Sequence, residues 1–271
     1  MCTPNIKIKK FIPCRNCPNR TPINEGLPLG YYYADTNYKI VKECECHKKW
    51  KKEVELTTTM MESNIVPDYT FDDYRGTKSV ADLECLKKVA ESPEKFLYKK
   101  MIYIYGPNGC QKSSMAQALG KELILKGYKV QYILMDNLMT NLISSFSDTD
   151  KMKEDKEYKI NKCIDCDFLI IDEAFDLKKT TIFASGYQIP YLDNFIRNRF
   201  EINKKSIIFI SNVLPRDIAS LPPSRPKESP REGFGQSLQS LVERNVREST
   251  LIFNDVWTEN VNVIDRMGLF K

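Results

Sequence analysis

The 271-residue chain has little continuous apolar sequence. Its longest apolar runs are short, as in Phe168-Leu169-Ile170-Ile171, which excludes a membrane-spanning helix. The first residues, Met1-Cys2-Thr3-Pro4-Asn5, carry no apolar signal-peptide core, so a cytoplasmic protein is expected. Histidine is nearly absent, His47 being the only one. Neither sign of charge is in large excess. A net charge of +5 permits nucleic-acid contact without demanding it. The remaining composition, 42% hydrophobic and 28% charged, is ordinary for a globular protein and leaves room for one large domain with a small appendage. Nine cysteines in a reducing compartment are thiols or metal ligands rather than disulfides.

The cysteine spacing marks out the first segment. Cys14-x-x-Cys17 is followed by Cys44-x-Cys46-His47. Two close pairs suggest a zinc ribbon, with Cys14, Cys17, Cys44 and Cys46 completing a tetrahedron around Zn²⁺. His47 is an alternative fourth ligand in place of Cys46, with bystander status favoured. Between the pairs, Gly30 to Val41 is aromatic and β-branched around an Asp35-Thr36-Asn37 turn, which predicts a hairpin. So small a unit buries too little surface to fold unaided, and a metal would supply the difference. Lys48-Lys49-Trp50-Lys51-Lys52 opens a basic helical stretch to about Ser63. It could track nucleic acid or simply be a solvated connection. The expected organisation is residues 1–50 as ribbon, 51–67 as linker helix and 68–271 as the main domain, with Pro67 as the break.

The main domain alternates strand and helix. Helices are expected over 80–90, 112–126, 136–146 (capped by Asp136), 190–203 and 237–247. Strands are expected over 101–105, 128–135, 168–172, 206–211 and 250–254. Residues 147–159 are polar and read as a loop or short exposed helix. Short apolar strands between helices argue for a parallel sheet covered on both faces. Pro215 to Gly235, rich in proline, serine and charge, is expected to be a mobile loop or a segment that orders on a partner. Cys163 and Cys166 have no second pair nearby and read as packing residues.

One glycine is missing at a telling place. Tyr103-Ile104-Tyr105 runs into Gly106-Pro107-Asn108-Gly109-Cys110-Gln111-Lys112-Ser113-Ser114. This is a phosphate-binding loop, G-x-x-x-x-G-K-[ST], except that Gln111 replaces the second glycine. In such a loop backbone N–H groups and a helix N-terminus surround phosphates. Gly106 and Gly109 let the backbone approach the ligand. Lys112 would reach the β- and γ-phosphates, and Ser113 would coordinate Mg²⁺. If position 111 needs a left-handed backbone, Gln111 carries strain of about 1–3 kcal/mol. Asp172 and Glu173 end the apolar strand 168–172 as a Walker B pair. Asp172 would hold the Mg²⁺ shell, and Glu173 would activate the attacking water. Asn212, at the tip of the next strand, would orient that water or touch the γ-phosphate. Together these residues predict ATP binding.

The order of loop, Asp172-Glu173 and Ser211-Asn212 resembles an AAA+ ATPase. With the cysteine segment and basic helix it is similar, more narrowly, to DnaC/DnaI-type helicase loaders, phage versions especially, with IstB-like transposition helper ATPases close by. The resemblance covers roughly residues 65–255 and 10–50. It implies a five-stranded parallel sheet of order 5-1-4-3-2, without the full helical lid, since few residues follow Asn254. Phe71-Asp72-Asp73-Tyr74 resembles the segment near adenine, and Ser240 to Arg244 the box carrying an arginine finger. Arg244 would then reach a neighbouring subunit's ATP, with Arg247 the alternative. Arg199 also falls where such proteins often carry an arginine. The implied function is loading a replicative hexameric helicase onto single-stranded DNA, with self-assembly on ATP, in the bacterial host cytoplasm if phage-encoded. The rival readings are a transposition helper, a hydrolysis-deficient nucleotide-binding adaptor, and a ribbon that binds DNA instead of the helicase.

Overall fold

The computed structural model describes residues 10–13, 17–18, 27–35, 37–143, 148–180, 188–221 and 231–254. They fall in two compact units, Met1–Pro67 and Asp68–Lys271. The expected absence of a lid after Asn254 concerns residues outside this range. Among the described residues no helix is long and apolar enough to cross a membrane.

In the first unit, β1 (Tyr31–Tyr33) pairs antiparallel with β2 (Val41–Glu43), Tyr31 opposite Glu43. Asp35 shapes the connection, its Oδ1 accepting from the N–H groups of Lys39 (3.0 Å) and Ile40 (2.8 Å). Helix α1 (Glu45–Glu62) starts directly at the second cysteine pair, with Cys44 as its N-cap residue. The expected joint between residues 50 and 51 therefore lies inside one continuous helix. His47 is 7% exposed, stacked on Trp50 and edge-on to Phe11 and Tyr31. A Cβ on Gly30, whose φ is +94°, would stand 2.3 Å from the His47 ring, so only glycine fits there.

The second unit follows the α/β alternation. Its elements are α2 (Val80–Glu91), β3 (Met101–Tyr105), α3 (Lys112–Leu125), β4 (Val130–Leu134), α4 (Met135–Leu142), α5 (Asp150–Asp165), β5 (Phe168–Asp172), α6 (Gln188–Arg197), β6 (Ser206–Ser211), β7 (Ser220–Leu221), β8 (Arg231–Glu232), α7 (Gln236–Val246) and β9 (Thr250–Ile252). Five strands form a parallel sheet in the order β4-β5-β6-β3-β9. Counted within the sheet from β9, this is 5-1-4-3-2. The added detail is a small antiparallel pair, β7 with β8. Met101 and Tyr103 of β3 join one buried cluster with residues of α4, α5, α6 and α7. The alternate residues Ile102 and Ile104 are equally buried on the opposite face, where α2 and α3 pack.

Several boundaries differ from the expectations for physical reasons. Residues 150–165 form a four-turn helix, because Thr149 caps it by accepting from Met152 N–H and charge pairs such as Lys159–Asp155 (2.6 Å) line it. Asp136 is not a cap. The chain turns into α4 immediately after β4, leaving Asp136 inside the first helical turn. Pro215 to Gly235 is anchored at both ends, since Ile218 and Phe234 are buried and β7 pairs with β8; residues 222–230 lie outside the described range.

Arg199 sits on a π-helical turn (Asn198–Ile202) that ends α6. It is fully buried and donates only to backbone carbonyls: Cys163 (2.7 Å), Ile164 (2.9 Å), Cys166 (3.0 Å), Asp167 (3.1 Å) and Ser206 (2.9 Å). Apart from Ser206, which opens β6, these are the orphan carbonyls at the end of α5, where a cation also meets the negative end of the helix dipole. Cys163 and Cys166 are buried beside it, and burial pushes the Cys163 thiol up to about 12. Replacing Arg199 by Leu should cost about 3 kcal/mol in urea unfolding, and Lys should not restore it, because one ammonium cannot serve five carbonyls.

Candidate functional site

The parallel sheet places the C-terminal ends of β3, β4, β5 and β6 along one edge, and the sequence-predicted polar groups gather there. The loop after β3 is tied to the core on two sides. Gly106 N–H donates to Ser211 O (3.2 Å), and Phe253 N–H donates to Tyr105 O (2.8 Å). A Cβ on Gly106 would stand 2.0 Å from the Phe253 carbonyl oxygen. Close packing against the chain after β9 is thus reason enough for glycine at position 106. Gly109 has φ +85° with nothing within 4 Å of an added Cβ, so the loop is open on that side. The Cys110 thiol donates to Pro107 O (2.8 Å) and braces the bend.

Gln111 has φ +62° and ψ +15°, the left-handed conformation that the missing glycine would adopt freely. The strain expected from the sequence is therefore present. The side chain does not cap α3. Its Nε2 donates to Asp73 O (2.8 Å), and its Oε1 accepts from Arg75 N–H (2.8 Å).

Lys112 is 7% exposed, and its ammonium donates to Gly106 O (2.8 Å), Pro107 O (2.6 Å) and Asn212 Oδ1 (2.9 Å). All three acceptors are neutral. Burial pulls its pKa below the usual lysine range, opposed in part by the charge of Asp172. Asn212 continues the network, its Nδ2 donating to Asn108 Oδ1 (2.9 Å) and Asp176 Oδ2 (3.3 Å). The structure therefore brings Asn108, Lys112 and Asn212 into one set of hydrogen bonds.

Asp172 is buried at the end of β5. Its Oδ1 accepts from Glu173 N–H (2.7 Å), and its Oδ2 accepts from the Tyr132 hydroxyl. The Ser113 and Gln117 side chains lie near that hydroxyl and act to lower its pKa. Burial, reinforced by the Asp172 carboxylate, raises the Tyr132 pKa and keeps the phenol protonated. Sequence reasoning missed Tyr132 and Asp176. Tyr132 gave no signal beyond apolar strand character. Asp176 lay close enough behind Asp172-Glu173 to be a candidate.

Glu173 has φ +55°, and its Oε1 pairs with Lys179 Nζ at 2.8 Å. That hydrogen bond is the main reason the Lys179 pKa is raised. Ser114 lies on the first turn of α3. Arg244 stands apart from this network. It is an exposed residue of α7, 3.5 Å from Glu201, and Arg247 follows the end of the same helix.

In the first unit, Cys17, Cys44 and Cys46 converge. Their Sγ atoms are 3.5 Å (17–44), 3.0 Å (44–46) and 3.4 Å (46–17) apart. Sulfurs around a tetrahedral Zn²⁺ with bonds of about 2.3 Å lie somewhat under 4 Å apart, so this triangle is close to the required size. Cys14 lies outside the described residues. His47 points its Nδ1 at Glu43 Oε1 (2.7 Å) and is not in the cysteine cluster.

The bacterial DnaA ATPase domain family matches residues 65–225. The chromosomal replication initiator protein DnaA of Aliarcobacter butzleri is 31% identical over 180 residues, covering 64% of this chain and 38% of that protein. The chain thus spans well under half the length of this curated relative. AMPPCP-bound DnaA from Aquifex aeolicus has a TM-score of 0.53 at 18% identity, over 76% of this chain and 57% of that one. DnaA bound to AMPPCP and single-stranded DNA gives 0.52 at 19% identity, over 75% and 60%. At such identity these structures speak for the fold alone. The family match covers β3 to β6 and every residue of the Lys112 network, while α7 with Arg244 falls outside it. On that match, the chain belongs to the bacterial DnaA ATPase domain family.

Proposed function

We propose that this protein is an ATP-hydrolysing replication factor that delivers a replicative hexameric helicase to single-stranded DNA. The carrying observation is the buried Lys112 ammonium, held only by neutral acceptors at the mouth of an open loop. A buried cation without a hydrogen-bonded acid suits an incoming polyanion, and the N-terminus of α3 adds backbone N–H groups to the same place. Residues 106–114 hold the triphosphate through backbone N–H groups and the Lys112 ammonium, which moves from the loop carbonyls to phosphate oxygens, while the Gln111 side chain stays on Asp73 and Arg75. Asp172, hydrogen bonded by Tyr132, and Ser113 beside the same hydroxyl would hold Mg²⁺, which when bound neutralises charge on the transferring phosphate. Asn212 orients the attacking water, and Glu173 takes its proton once released from Lys179. Arg244, exposed on α7, is free in geometry to meet ATP in a neighbouring copy.

The first unit is the helicase-facing domain. Cys17, Cys44 and Cys46 hold Zn²⁺, with Cys14 as the fourth ligand, and the basic start of α1 lies beside DNA. Family membership among replication ATPases supports the setting, and a protein of this kind works in the cytoplasm. The Glu173–Lys179 pair favours a second reading, in which the protein binds ATP without turning it over.

Glu173→Gln should lower ATP hydrolysis by about 100-fold or more with ATP binding kept, and Lys112→Ala should weaken ATP binding itself. Absence of hydrolysis by the wild type with helicase and single-stranded DNA present would sink the ATPase claim and leave the binding-only reading. Co-purification with a hexameric helicase checks the loader role; failure to co-purify removes it. Elemental analysis should find one zinc per chain, lost in Cys17→Ser. Tyr132→Phe should cost about 1–2 kcal/mol in urea unfolding, since Asp172 loses a buried donor.

A further inference from the structure

The glutamine that spoils the phosphate-loop pattern does something no glycine could do. Its two amide atoms meet one donor and one acceptor of the backbone two residues apart, Asp73 O and Arg75 N–H, each at 2.8 Å. That is the pairing a neighbouring strand would offer, supplied here by one side chain. The segment it grips is already stiff. Thr70 N–H and Oγ1 both donate to Asp73 Oδ2, at 2.9 and 2.8 Å, closing the 3₁₀ turn Phe71–Asp73. Tyr74 then packs edge-on against Phe253, with centroids 5.6 Å apart, and Phe253 is the residue whose carbonyl abuts Gly106. Further along α3, Lys121 Nζ reaches Tyr69 O at 3.4 Å. Residues 69–75 therefore run along α3 and the start of the loop as a wall.

Lys112, Asn212 and Asp172 gather where the loop leaves β3, at the C-terminal ends of the strands. We take a nucleotide whose terminal phosphate is held by those residues to extend its ribose and base toward the 69–75 wall. The position of that wall relative to the loop then sets how well the two ends of a nucleotide are held at once. The αL backbone of Gln111 is part of the device, because it turns the side chain away from α3 and out toward Asp73 and Arg75.

We propose that Gln111 is a positioning residue for nucleotide binding, an amide clamp that fixes the segment Thr70–Arg75 to the phosphate loop. This rests on the reading of the loop as an ATP site. Gln111 touches no phosphate in this role, and its effect appears where a ligand spans both loop and wall. A ligand confined to the loop is indifferent to it. The usual expectation is the reverse: restoring glycine should relieve the left-handed strain and improve the site.

The test uses the full chain, with Gln111→Gly, Gln111→Asn and Gln111→Glu compared with wild type. Asn tolerates the left-handed region yet is one methylene too short to span both partners. Glu keeps the acceptor for Arg75 N–H and loses the donor for Asp73 O. Hydrogen exchange of the Arg75 amide in nucleotide-free protein reports the clamp itself. It should quicken about tenfold in Gly and Asn variants and stay close to wild type in Glu. ATP affinity should fall about tenfold in Gly and Asn variants, and less in Glu, while inorganic tripolyphosphate binds all four proteins within about twofold. Unchanged or tighter ATP binding by Gln111→Gly, with Arg75 exchange quickened, overturns the positioning role alone. Unchanged Arg75 exchange in Gln111→Gly overturns the clamp. A wild type that binds neither ATP nor tripolyphosphate overturns the nucleotide reading and the positioning role with it. Thermal unfolding of each variant separates these outcomes from a general loss of fold.

Discussion

Every functional group in the second unit depends on one geometric constraint, the parallel direction of its five strands. Parallel strands return through a helix each time, so all their C-terminal ends lie on the same edge. The loop before Lys112 leaves β3, Tyr132 sits in β4, Asp172 closes β5 and Asn212 follows β6. Groups as far apart as Lys112 and Asn212 come within hydrogen-bond distance because β3 and β6 are hydrogen-bonded neighbours. An antiparallel arrangement of the same strands would have sent half of these residues to the opposite edge.

Polar burial in this domain follows two patterns. Arg199 is a buried cation satisfied by carbonyls at a helix end, and it serves the architecture. Lys112 is a buried cation satisfied by carbonyls of a loop open to ligand, and its position is the basis of the functional reading. The surroundings distinguish the two. Arg199 ties α5 to β6 within the closed core, whereas Lys112 is held by the carbonyls of Gly106 and Pro107, in the loop where Gly109 has open space beside it. Burial alone would not have separated an architectural arginine from the lysine proposed to bind phosphate.

Much of this was legible in the sequence because short apolar runs and glycines act locally. The strands at 101–105, 168–172 and 206–211 are apolar enough to declare themselves, and their parallel direction follows from the alternation with helices, while their order came from the family resemblance. Helix α5 was hidden because Cys163 is its only fully buried residue, so it has no apolar stripe to read. The Asp136 cap failed because no loop separates β4 from α4. Tyr132 and the partners of Gln111 were invisible for another reason. Their contacts join residues about 40 apart, and a long-range hydrogen bond leaves no periodic trace. The left-handed backbone at position 111 could be foreseen from the motif. The use made of its side chain could not.

The close approach of Phe253 to Gly106 has a consequence for biosynthesis. The phosphate loop lies well before the middle of the chain, yet the carbonyl it packs against belongs to the last described strand end. Tyr105 O likewise waits for Phe253 N–H, a pairing across nearly 150 residues. A ribosome-bound fragment that stops short of Phe253 has every residue of the motif and lacks the surface that shapes it. The loop therefore takes its packed form late, after the whole sheet has emerged and β9 has docked at its edge, and on the proposed reading nucleotide binding waits with it.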